Sequence, residues 1–157
     1  MMIFVLILHG LCAIFLLGTL LHQAASTWHP ASSERTRPVG MAGSFMAVRG
    51  RLYAGAVVTS YILTMLLGDV VYGPYRVDVK TMLFDLQLWS WNGIFEIKEH
   101  VVALGFYLLL PYWQLWTQPA RAEWVHARRL LTTLLASFVV YALIAGHLLN
   151  NLKGIAL

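Results

Sequence analysis

Four long stretches of the chain are predominantly apolar, and shorter polar connections separate them. Met2 to Ala25 contains no Asp, Glu, Lys or Arg; Leu52 to Tyr72 contains only Asp69; Ile94 to Leu115 is charged only near its start; Leu130 to Leu152 carries none of these charges. A hydrocarbon core of about 30 Å takes roughly 20 residues of helix, so each stretch is long enough to cross a bilayer. Helices also satisfy their own backbone groups in lipid, where water cannot. The pattern therefore predicts an all-α membrane protein of one domain. It reads as a four-transmembrane-helix up-down bundle, with helices over about 2–25, 52–72, 94–116 and 128–151.

The connections differ in kind. The first is rich in Ser, Pro, Gly and Arg and reads as irregular, with its arginines at lipid headgroups or on a partner. In the stretch from Gly73 to Gly93, the Gly73-Pro74 pair is expected to stop the second helix. Beyond it, Met82 to Trp91 reads as a short interfacial helix anchored by Trp89 and Trp91, capping the bundle.

Composition strengthens this picture, because 59% hydrophobic and 11% charged residues lie outside the soluble globular range. The net charge of +4 points to topology rather than to nucleic acid. Arg35, Arg37, Arg49, Arg51, Arg121, Arg128 and Arg129 all fall in the first and third connections, with Glu34 and Glu123 against them. By the positive-inside rule that side is cytoplasmic. Both termini then face outward, which in a bacterial inner membrane is the periplasmic side. No positive charge precedes Ile3, so the first stretch reads as a span and not as a cleaved leader. Cys12 stands mid-span as a small apolar filler. Phosphate-binding glycine loops, nucleophile triads and CxxC pairs are absent from the sequence, which argues against soluble enzyme chemistry.

Candidate chemistry concentrates on the outward side. His9, Asp69, Glu96, Glu99, His100 and His147 come from four separate segments, and the up-down path returns them all to one surface. At 1.5 Å per residue the three imidazoles lie roughly 5 to 12 Å below that boundary. Ionisable groups at such depth cost several kcal/mol (about 2.5–3.5 by insertion scales) unless paired, ligated or wet, so the cluster is a site hypothesis. Helical spacing puts Glu96, His100, Tyr107 and Gln114 on one face, and Thr133, Ser137, Ile144, His147 and Asn151 on another. Both stripes are expected to look into the bundle, with Lys98 snorkelling outward.

Three readings follow. The first is a membrane subunit of an electron-transfer complex, with His9, His100 and His147 holding a b-type haem or contacting a quinone. Glu96, Glu99 and Asp69 would then transfer protons or orient the imidazoles from behind. The second is a single Cu, Fe or Zn ion held by His9, His100, His147 and Glu96. The third is a cofactor-free structural or assembly subunit. Expected partners are the lipid bilayer and other membrane or periplasmic redox subunits. His22 lies on the other side of the membrane and on a different helical face, apart from the cluster.

Overall fold

The structure is a computed structural model that describes residues 2–28, 40–119 and 121–156, and no β-strand occurs among them. Helix α1 runs Met2–Trp28, the short α2 Gly40–Met46, α3 Gly50–Tyr75, the one-turn α4 Thr81–Asp85, α5 Trp89–Thr117 and α6 Val125–Ala156. Three stretches, Met2–Trp28, Gly50–Asp85 and Ala122–Leu152, are long and apolar enough to cross a membrane. The long helix α5 is not among them. These apolar surfaces are compatible with contact to a lipid bilayer.

The four long helices form a ring in which α1 packs on α3 and α6, and α5 packs on the same two. Helix α1 is thus diagonal to α5. Neighbours run antiparallel: His9 meets Thr64 while His22 meets Tyr53, and Tyr141 meets Ile94 while Thr132 meets Trp116. A long core joins Leu16 and Leu20 of α1, Val57 and Tyr61 of α3, Leu109 and Tyr112 of α5, and Leu135 and Val139 of α6. Lipid tails are as apolar as leucine, so close packing and interhelical hydrogen bonds hold such helices together more than hydrophobic transfer does. One such bond joins Tyr112 to Gln23, both fully buried.

Two local expectations are corrected. Helix α3 does not stop at Gly73-Pro74; the chain stays helical through a π-helical turn at Arg76–Lys80 into α4. Proline cannot donate its i−4 bond, and a π turn shifts the ladder by one residue without ending it. The interfacial helix is also shorter than expected, because Trp89 and Trp91 belong to α5. Helix α4 ends with Gln87 in the left-handed region (φ 55°), closed by Leu88 N–H to Leu83 O at 2.8 Å and Gln87 N–H to Phe84 O at 3.0 Å. This C-terminal motif usually takes glycine, and the contact between Leu83 and Leu88 accompanies it. Val79 and Leu83 pack with Phe95 and Leu149 as a second core at this end of the ring.

At the opposite end, arginines work inside the fold. Arg128 donates to the carbonyls of Leu115 (2.6 Å) and Gln118 (2.8 Å), and Arg129 to that of Thr27 (3.1 Å). Both cations thereby satisfy the bare C-terminal carbonyls of α5 and α1, where the helix dipole favours positive charge. Trp28 lies under Arg129 and Trp116 under Arg128, with ring-centre distances of 4.5 and 5.6 Å. The first connection, expected to be irregular, contains the short helix α2 at Gly40–Met46. Residues 29–39, with Glu34, Arg35 and Arg37, lie outside the described residues.

Candidate functional site

Helix α5 carries most of the candidate chemistry, so its rotation decides the site. Its buried face is Phe95, Lys98, Val102, Gly105, Leu109 and Tyr112, spaced three and four residues apart. Gly105 fixes this rotation. A Cβ there would overlap the Tyr61 hydroxyl, which donates to the Val102 carbonyl at 2.8 Å. The missing side chain lets α3 and α5 approach closely enough for that bond. Lys98 follows the same stripe inward and is half-buried. Its stem lies against α6, where a Cβ at Gly146 would stand 3.7 Å from Cε and 3.9 Å from Nζ. The expected outward snorkelling of Lys98 is therefore corrected.

The opposite face of α5 is turned out. His100 and Gln114 are exposed, Tyr107 is 75% exposed, and Glu96 is partly so. The stripe expected to look inward looks outward instead. Helix α6 repeats this result: Ser137, Ile144, His147 and Asn151 are exposed, while Thr132, Leu135, Ala136 and Leu149 are buried. The inference from polarity failed because small and apolar residues, with one lysine, fill the space between the helices. Packing density selected the inner face.

Each candidate residue accordingly has its own local role. His9 Nδ1 donates to the Thr64 carbonyl at 2.9 Å, which leaves Nε2 as the acceptor nitrogen. Its ring rests on α3 beside Gly68, where a Cβ would come within 3.1 Å of Cε1. Glu99, next to Lys98, faces the Tyr72 hydroxyl. Thr64 Oγ1 is buried without a hydrogen-bond partner. An amine, an imidazole, a carboxylate and a hydroxyl from three helices thus lie in the half of the ring away from the arginine end.

The other candidates stand apart from it. His100 Nδ1 donates to the Glu96 carbonyl at 2.7 Å, one turn back on its own helix. His147 Nε2 accepts from Asn151 Nδ2 at 3.1 Å. Glu96 pairs with Lys80 at 3.1 Å and accepts from Asn92 at 3.3 Å, which ties the π turn to α5. Asp69 is exposed. Among the described residues, no three His, Cys, Asp or Glu side chains are grouped closely enough to hold one metal ion. His9, His100, His147 and Glu96 are described, so a shared ligand set of these four is not formed within the chain.

No family, curated protein or solved structure matches this chain. Its chemistry is read from its own residues.

His22 has a structural task. Its Nε2 donates to the Phe45 carbonyl at 2.8 Å, so its Nδ1 accepts from the Tyr53 hydroxyl at 2.6 Å. The ring also contacts Phe45, with centroids 4.5 Å apart, and so clasps α2 against α1 and α3. Both nitrogens are engaged, which leaves none for an axial bond. Lys98 is the residue that sequence reasoning missed. The signal was the 95-98-102-105-109-112 spacing, legible once Gly105 is taken as a packing position.

Proposed function

We propose that this chain is a subunit of a larger membrane assembly, crossing the bilayer four times with both termini on the outer side. One observation carries the reading: the outward stripe of α5, His100, Tyr107 and Gln114, puts polar side chains on the surface of an otherwise apolar ring. Facing acyl chains, Gln and His would have no hydrogen-bond partner; facing a neighbouring helix, they gain one. This also explains why α5 alone of the long helices falls short as a membrane span by composition. The arginine end supports the orientation, since Arg49, Arg51, Arg121, Arg128 and Arg129 gather there and favour the cytoplasm.

The test is the size of the species extracted from native membranes in a mild detergent. The wild-type chain should migrate in a complex well above its own 17.7 kDa plus detergent. The double substitution Tyr107→Ala, Gln114→Ala should release it as a monomer. A wild-type chain that is already monomeric in those membranes sinks the proposal.

A second reading, an electron-transfer subunit contacting a b-type haem or a quinone near the outer surface, rests on His100. The bond from its Nδ1 to a backbone carbonyl orients the ring and leaves Nε2 as a lone pair on the exposed face. The second ligand would come from the partner subunit. A reduced-minus-oxidised visible spectrum of the intact complex decides it. Under this reading His100→Ala removes the Soret difference and His22→Ala leaves it; a complex with no Soret band in the wild type rejects the haem.

A further inference from the structure

A groove of about 1120 Å³ opens along the outside of the ring between α1 and α3. Leu11 and Phe15 form one wall and Leu52 and Leu63 the other, while Gly55 and Ala56 leave the floor low. One end is charged. Arg49 and Arg51 line it there, both exposed, and neither guanidinium makes a hydrogen bond or ion pair among the described residues. This contrasts with Arg128 and Arg129 nearby, whose guanidinium groups are spent on helix carbonyls.

We propose that the groove holds one anionic phospholipid, with its phosphate on Arg49 and Arg51 and an acyl chain over Gly55 and Ala56. From Arg49 to Leu63 the helix rises about 21 Å, which matches one leaflet of hydrocarbon, about 15 Å, plus the glycerol level. The charged end also lies at the right height. Helix α2 there exposes Met41 and Phe45, and Trp113 borders the groove, as expected of a membrane–water boundary. An apolar groove in lipid fills with any acyl chain, because hydrocarbon gains little by moving from one apolar surface to another. Selectivity must come from the head. Guanidinium groups bind phosphate oxygens in paired, charge-assisted hydrogen bonds, and anionic headgroups concentrate on the arginine-rich side of biological membranes. The proposal needs α3 to cross the bilayer; it does not depend on an assembly partner or a redox cofactor.

Native mass spectrometry of the full chain tests it, after delipidation in detergent and addition of phosphatidylglycerol or phosphatidylcholine. The wild type should retain one phosphatidylglycerol in preference to phosphatidylcholine. The pair Arg49→Gln, Arg51→Gln should weaken that retention by about 30-fold, at roughly tenfold for each 1.4 kcal/mol and about 1 kcal/mol per arginine. Ala56→Leu, which raises the groove floor and keeps both arginines, should lower retention of either lipid, and it guards against misfolding of the double variant. Inorganic phosphate in millimolar excess should displace nothing. Equal retention of the two lipids, unchanged retention in the arginine variant, displacement by inorganic phosphate, or a second copy of the chain bound through this face would each overturn the assignment.

Discussion

The two faces of α5 divide the labour of this molecule. The inner face, Phe95 to Tyr112, is close-packed and contains a single charge, that of Lys98; the outer face offers His100, Tyr107 and Gln114 to whatever surrounds the ring. The inner face is set by contact, since Gly105 and Tyr61 admit one spacing between α3 and α5. Among the described residues, no other helix packs on His100, Tyr107 or Gln114. A polar residue on such a helix can therefore be packed between helices, as at Lys98, or shown on the surface, as at Tyr107.

Substitutions can separate these roles, and the largest effect is expected at the tightest contact. Gly105→Ala should destabilise the isolated chain by about 1–3 kcal/mol, because its Cβ would overlap the Tyr61 hydroxyl. Adding Tyr61→Phe should recover part of that loss, and thermal unfolding in detergent measures both. A Gly105→Ala chain as stable as the wild type would mean that the two helices can slide apart freely. Next comes His9→Ala, which removes the bond to Thr64 and the ring packing at Gly68. Its cost should be about 1–2 kcal/mol by the same unfolding assay.

Lys98→Met should act in the other direction. It keeps the stem packed on Gly146 and deletes a half-buried charge, so stability should rise by about 1 kcal/mol. A loss of several kcal/mol instead would show the ammonium to be fully satisfied and would make Lys98 a structural strut. The smallest effects belong to the outer face. Tyr107→Ala and His100→Ala should leave the stability of the monomer within about 0.5 kcal/mol. Their effect should appear in the size of the native complex, and a large loss of monomer stability would erase the contrast between the faces.

The helices themselves were legible because their length and apolar content leave few alternatives in lipid. Even so, Pro74 misled: it reads as a stop, yet the π turn after it carries the helix onward. The candidate site was legible in part. His9 is bonded to α3, and Glu99 faces Tyr72. His100 and His147 share its segment ends but not its environment, because a common depth does not imply a common facing. Lys98 was set aside on the general habit of lysines to reach for water. Nothing in a lone helix reveals that a glycine on α6 leaves room for its stem.

The chain's periodicity and charge asymmetry determine that it is helical, that three of its stretches can cross a membrane, and that its arginines collect toward one end. The rotation of each helix about its axis was decided only by tertiary contact. Hydropathy is nearly uniform around a membrane helix and so carries little information about facing. The fit of a glycine against a ring, resolved at the scale of one methyl group, selects which polar groups are enclosed and which are shown to the surroundings.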